Sequence, residues 1–301
     1  MAKSTTIRNE ELDKQKAAAH NPLNAHHKMV LGIFPRQRLP LIILFLTVTI
    51  GSFLIWGVFQ RPPMLEEYTY EIVAEYPHDS DSFTQGLIFR DGFLYESSGQ
   101  YGRSELRKIS LQDGEEGRII KQHKLDDEYF GEGLCQVDDK LIQLTWKEET
   151  GFIYDMDLNE IGQFTYDAHG WGLTYDGKHL IMSDGTSTLY YMNPKTFEVE
   201  NKVFVRKGNR RMPNINELEF INNTLFANVL GDDMIYLIQP TDGKVIGRIN
   251  FEKLLPKNKR GNWQTDVMNG IALRPDNGNL LVTGKNWPTV FEVKISKAQA
   301  R

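Results

Sequence analysis

From Tyr68 onward the chain is written in short apolar or alternating runs, punctuated by Gly, Asp and Asn. No part of that region keeps a helical period, so it reads as all-β. The runs also recur. A polar or aromatic residue, usually followed by Gly and then Leu or Ile, opens a strand at Gln85-Gly86-Leu87, Glu132-Gly133-Leu134, Trp171-Gly172-Leu173, Asn216-Glu217-Leu218 and Asn269-Gly270-Ile271. The spacings are 47, 39, 45 and 53 residues. Self-similarity at that period predicts a repeat architecture, a propeller or a solenoid.

Each repeat predicts four strands. An Asx-rich turn follows the opening strand and leads to a second one: Asp91-Gly92 before Phe93, Asp138-Asp139 before Leu141, Asp176-Gly177 before His179, Asn222-Asn223 before Leu225 and Asn277-Gly278 before Leu280. Such turns are strong hairpin signals. Third strands follow at 106–109, 152–156, 189–192, 235–238 and 290–295. Outer strands follow at 118–122, 161–166, 200–205 and 245–249. Nothing remains after Ile295 for the last repeat, whereas the alternating run Tyr68–Tyr76 is unused at the other end. Pairing the two closes a ring and removes exposed edges. The expectation is a five-bladed β-propeller over 68–295, closed by an N-terminal outer strand, with an open sandwich as the competing reading.

The segment before it is different. Residues 1–38 are polar, with seven Lys and Arg against three acids, and read as a disordered tail. Residues 39–60 carry no charge, and the 19 residues from Leu41 to Phe59 are dense in Leu, Ile, Phe and Val. As a helix those residues extend about 28 Å, enough to cross the hydrocarbon core. A single transmembrane signal anchor is expected, preceded by Arg36 and Arg38 on the cytoplasmic side. Residues 61–67 are then a linker, 296–301 a C-terminal tail, and the globular part faces a periplasm, a lumen or the exterior.

Charge and cysteine content narrow the chemistry. Residues 62–301 hold 27 Lys and Arg against 37 Asp and Glu, near −10, which argues against a groove for nucleic acid. One cysteine, Cys135, excludes an intrachain disulfide and a multi-cysteine metal site; its apolar surroundings read as an inert thiol. The histidines show no metal-binding spacing. A structural calcium stays open at the carbonyl-rich loop Leu230–Asp233.

In a propeller the inner strands begin together at one mouth of the axis. That places Gln85, Glu132, Trp171, Asn216 and Asn269 in a ring, with Tyr101, Arg103, Trp146, Lys147, Asp184, Lys285 and Trp287 supplied by the second-to-third loops. An apolar mouth with a few converging polar groups is a default ligand site. Glu132 is the only carboxylate at the repeated position. Beside Phe130 and tryptophans its proton affinity should rise, with Lys285 opposing. A carboxyl tuned toward neutrality both accepts and donates a proton. The competing reading is a structural carboxylate bonded to backbone amides.

Six ordered motifs carry a resemblance: Phe83-Thr84-Gln85-Gly86-Leu87, Tyr129-Phe130-Gly131-Glu132-Gly133-Leu134, Gln143-Leu144-Thr145-Trp146-Lys147, Gly170-Trp171-Gly172-Leu173-Thr174, Asn216-Glu217-Leu218-Glu219 and Val282-Thr283-Gly284-Lys285-Asn286-Trp287-Pro288. Over about residues 68–295 the chain resembles the plant and bacterial type of glutaminyl cyclase (glutaminyl-peptide cyclotransferase). The resemblance implies a five-bladed propeller and an acyltransferase that converts the N-terminal glutamine of peptides and proteins to pyroglutamate, releasing ammonia. It places Glu132 on the catalytic glutamate, and Phe83, Gln85, Phe130, Trp146, Trp171, Asn216 and Lys285 on pocket residues. Many relatives carry a tryptophan after the Asn-Val of the fourth repeat, where Leu230 stands here. Animal enzymes of this activity use zinc in another fold; turnover without a metal cofactor is expected for this chain. Two other function classes remain on the sequence: a propeller hydrolase such as a lactonase, and a non-catalytic anchored binding module.

Overall fold

The computed structural model describes residues 65–256 and 266–298. The predicted tail and membrane anchor, residues 1–60, lie outside them. Among the described residues no helix is long and apolar enough to cross a membrane.

The fold is all-β. Three sheets are four-stranded antiparallel meanders. The N-terminal strand, β1 (Glu66–Pro77), stands outside them; the first is β2 (Thr84–Arg90), β3 (Phe93–Ser98), β4 (Glu105–Ser110) and β5 (Ile119–Lys124). The second is β6 (Gly131–Val137), β7 (Lys140–Thr145), β8 (Thr150–Asp155) and β9 (Glu160–Thr165). The third is β10 (Leu173–Tyr175), β11 (Leu180–Ser183), β12 (Thr188–Met192) and β13 (Val199–Phe204). A small basic hairpin, β14 (Arg206–Lys207) and β15 (Arg210–Arg211), follows.

The fourth sheet has eight strands: β16 (Ile215–Ile221), β17 (Thr224–Val229), β18 (Met234–Ile238), β19 (Val245–Asn250), then β1, β22 (Thr289–Lys297), β21 (Asn279–Gly284) and β20 (Met268–Arg274). It consists of two more meanders. One is β16 to β19. The other is β20 to β22 with β1 as its fourth strand, paired antiparallel from Tyr68 opposite Lys297 to Pro77 opposite Thr289. A three-residue parallel contact, Glu66–Tyr68 beside Gly247–Ile249, joins them. The chain's first described strand therefore completes the unit its last strand belongs to, as the leftover alternation predicted.

The first strands of the five meanders contact one another in a cycle. β2 packs on β6, β6 on β10, β10 on β16, β16 on β20, and β20 returns to β2. The buried apolar side chains follow the same order. Leu134 and Leu141 meet Tyr95 and Leu106 between the first and second meanders. Leu94 and Ile109 meet Ala272, Leu281 and Val290 between the fifth and the first. The inner strands, such as β3 and β21, are buried on both faces because each sheet packs against two neighbours, and each buried Leu or Phe contributes about 1.5–3 kcal/mol.

Candidate active site

The repeated ring position is where strand pairing lapses. Register breaks fall between Thr84 and Gly86, Gly131 and Leu134, Ile215 and Leu218, and Met268 and Ile271. In the third meander β10 starts only after Trp171-Gly172. A bulge frees one residue from the ladder and re-aims its side chain, which is how Gln85, Glu132 and Asn216 leave the plane of their sheets. The neighbouring strands come so close here that a Cβ on Gly133 would lie 2.5 Å from the Leu173 amide nitrogen, and one on Gly172 would overlap the Asn216 carbonyl. Only glycine permits that approach.

A repeated polar device holds these bulges. Ser97, at the end of β3, donates to the Glu132 carbonyl, and Gln143 donates to Ser97 at 2.8 Å. Ser183, at the end of β11, donates to the Asn216 carbonyl at 2.8 Å. Asn228, near the end of β17, accepts from the Gly270 amide at 3.0 Å. In each case the second strand of one meander fixes the ring backbone of the next. Sequence reading missed these residues. The signal was available as a Ser or Asn at the same place in the second strands of the first, third and fourth repeats, Ser97, Ser183 and Asn228.

The re-aimed side chains enclose a pocket of about 150 Å³. It is lined by Phe83, Gln85, Phe130, Glu132, Trp146, Trp171, Asn216 and Lys285, all expected from the sequence, and by Leu230. Other expected mouth residues are elsewhere. Asn269 is buried beneath the pocket and donates to the Thr84 carbonyl at 2.9 Å and to Gln85 Oε1 at 3.2 Å. Trp287 is in the apolar core, with its Nε1 donating to the Asp266 carbonyl at 2.9 Å. Tyr101, Arg103, Lys147 and Asp184 do not line the pocket.

Aromatic rings form one wall. Phe130 stands edge-on to Phe83 at 6.1 Å and to Trp146 at 5.6 Å, arrangements that aromatic quadrupoles favour. The Trp146 amide donates to the Phe130 carbonyl at 3.0 Å, so both rings ride on a shared backbone link. The Trp171 indole lies over Gly185, which has φ of 77° and leaves no room for a side chain there.

Glu132 and Lys285 are 4% and 5% exposed. Glu132 Oε2 has no hydrogen-bond partner. Burial pushes this carboxyl well above the usual carboxylate range; Lys285 acts against that and Glu148 adds to it. Burial likewise lowers the Lys285 ammonium, with Glu132 and Asp266 opposing. The two charges do not close to an ion pair. Lys285 Nζ instead lies 4.7 Å from the centre of the Phe83 ring, a cation–π distance. With Gln85 Oε1 engaged by Asn269, the Gln85 NH2 is left to donate, while Asn216 Oδ1 has no partner and is left to accept. The pocket thus offers one carboxyl of raised proton affinity, one cation, an amide donor, an amide acceptor and an aromatic wall.

Comparison with known proteins bears on these same residues. A family profile described as glutamine cyclotransferase matches residues 50–295. The chain belongs to the glutamine cyclotransferase family. It is similar to a glutaminyl-peptide cyclotransferase of Arabidopsis thaliana, 45% identical over 235 residues that span 77% of this chain and 72% of that protein. The crystal structure of a Myxococcus xanthus glutaminyl cyclase matches it with a TM-score of 0.72 at 32% identity, covering 78% of this chain and all of the other.

Among the described residues no three His, Cys, Asp or Glu side chains are grouped to hold a metal ion. In the loop expected to offer calcium ligands, the Asp232 carboxylate accepts from the Tyr236 hydroxyl at 2.8 Å.

Proposed function

We propose that this chain is a glutaminyl-peptide cyclotransferase acting on peptides and proteins with N-terminal glutamine, with Glu132 as its proton carrier. Membership of the family and likeness to two proteins of that activity support the reaction. The observation that carries the residue assignment is the Glu132 carboxyl, buried, unpartnered at Oε2 and turned toward protonation, inside a pocket sized for one small side chain.

In the reaction the substrate's α-amine attacks its own γ-carboxamide carbon. A C–N bond closes a five-membered ring, the bond to the amide nitrogen breaks, and ammonia leaves. The step is intramolecular, so the protein's work is to hold a folded conformer and move protons. An α-amine has a pKa near 7.7–8 and gives up its proton readily near neutrality. Glu132 takes the proton from the attacking nitrogen and returns it to the departing one. The Gln85 NH2 and the Lys285 ammonium oppose the charge growing on the carbonyl oxygen. Asn216 Oδ1 accepts from a substrate N–H, and Phe130, Trp146 and Trp171 confine the glutamine methylenes.

The ring of contacts among β2, β6, β10, β16 and β20, and the apolar clusters between successive meanders, support reading the fold as a five-bladed propeller with β1 as the closing strand. The uncharged run 39–60 supports a membrane anchor with the catalytic domain on the periplasmic, lumenal or extracellular side. Turnover needs no metal in this reading. The test is direct: the protein is incubated with a Gln-initiated peptide and the products are analysed for ammonia and a pyroglutamyl N-terminus. An unchanged peptide sinks the assignment.

A further inference from the structure

Glu148 does not line the pocket, yet it touches two of the groups that shape it. It belongs to the β7–β8 turn, whose form is held by Thr145 and Thr150: the Thr150 amide donates to Thr145 Oγ1 at 3.1 Å, and that hydroxyl donates to the Thr150 carbonyl at 2.7 Å. Glu149 takes a left-handed φ of 53° and its carbonyl accepts from the Tyr166 amide. The turn directs the Glu148 carboxylate back over the aromatic wall. Oε2 accepts from the Phe130 amide at 3.3 Å, and Oε1 accepts from the Tyr101 hydroxyl at 2.8 Å. Tyr101 comes from the preceding meander and packs edge-on to Phe130 at 5.3 Å.

Both backbone polar groups of Phe130 are therefore held, its amide by Glu148 and its carbonyl by the Trp146 amide. Two residues later the same backbone carries Glu132. We infer that Glu148 is a positioning residue for Glu132: it clamps the Phe130–Glu132 segment against Tyr101, and it places a second negative charge beside the buried carboxyl. The inference rests on the cyclotransferase reading and assigns a function to a residue outside the pocket.

The charge has a consequence that a clamp alone lacks. The groups facing Glu132 are Lys285 from the β21–β22 turn, Glu148 from the β7–β8 turn, and the hydroxyls of Tyr101 and Tyr166. Lys285 favours the ionised carboxylate and Glu148 favours the protonated acid. Glu148 thereby offsets part of the lysine's effect and favours the proton-bearing form of the Glu132 carboxyl.

The experiment compares the pH dependence of kcat/KM for the parent, Glu148→Gln and Tyr101→Phe with one Gln-initiated peptide. Using one peptide cancels the titration of its own amine. Glu148→Gln keeps an acceptor for the Phe130 amide and removes the charge, so the acid limb should move to lower pH by about 0.5 or more. Tyr101→Phe keeps the charge, so its limb should stay while kcat/KM falls a few-fold. A limb that stays in place for Glu148→Gln overturns the inference, whatever happens to the rate, because a purely structural residue lowers the rate without moving the limb. Should Glu148→Gln fail to fold, Glu148→Asp withdraws the charge from Glu132 and must move the limb in the same direction; no movement again overturns it. A parent chain that makes no pyroglutamate would instead defeat the function reading itself.

Discussion

His78 and Glu96 form an ion pair at 3.0 Å with both side chains almost wholly removed from water. Burial opposes charging either partner, but their mutual attraction and hydrogen bonds prevail, holding Glu96 down at about 2 and His78 above the ordinary imidazole value. The pair lies behind the pocket. Glu96 Oε1 also accepts from Ser82 and Thr84, which flank Phe83, and His78 Nδ1 meets the Trp287 carbonyl two residues beyond Lys285.

Glu96→Gln leaves a buried imidazolium without its counter-ion and should cost about 3–5 kcal/mol in urea unfolding at pH near 6. The parent's stability from this pair has two edges. The carboxylate's share is complete above the ordinary carboxyl range and is lost as pH falls toward about 2. The imidazolium's share is complete below the ordinary imidazole value and is lost as pH rises past it. Melting temperature against pH should show this plateau in the parent and a flattened profile in the variant.

Glu132→Gln removes the proton carrier without changing shape. Turnover of a Gln-initiated peptide should fall about 10²–10⁴-fold while the melting transition stays cooperative. The parent should need Glu132 ionised to begin the reaction. Because burial raises this carboxyl, activity should climb with pH well above the range where a solvated glutamate ionises. Parent-level turnover by the variant contradicts the assignment.

Glu217 occupies the place that Gly86, Gly133, Gly172 and Gly270 hold in the other repeats. Its carboxyl is 1% exposed, and the nearby backbone amides of Leu87 and Ile271 offset its burial only in small part. Burial, then the neighbouring Glu219, raises it well above the usual range. The folded state binds this proton more tightly than the unfolded chain does, so its contribution is most favourable below the ordinary carboxyl value and declines as pH rises. Glu217→Gln should therefore be stabilising relative to the parent at pH about 8, by roughly 1–3 kcal/mol, with a smaller difference at pH about 4. Chemical denaturation at the two values checks the sign; an equal difference at both removes the explanation.

Turnover should survive exhaustive treatment with EDTA, since proton transfer by Glu132 and the cation of Lys285 supply the chemistry proposed. Activity lost to the chelator and regained with zinc would refute that.

Strand order, the recurring ring position and the use of Tyr68–Tyr76 to finish the last unit were legible in the chain, because apolar alternation and Asx turns are local signals that repeat. So were the eight pocket residues, once the repeats were aligned and the motifs compared. Position in space was not. Trp146 and Trp287 look alike in sequence, both following the second strand of a repeat, yet one walls the pocket and the other fills the core. Asn269 shares the ring position of Gln85 but lies below it as a hydrogen-bond donor. The Ser97 and Ser183 contacts and the Tyr101–Glu148 bond join residues from different meanders, and His78 reaches Glu96 from the link after β1. Periodicity determines which face of a strand is apolar, whereas such bonds depend on how neighbouring sheets twist and meet, and that geometry exists only when the sheets are packed together.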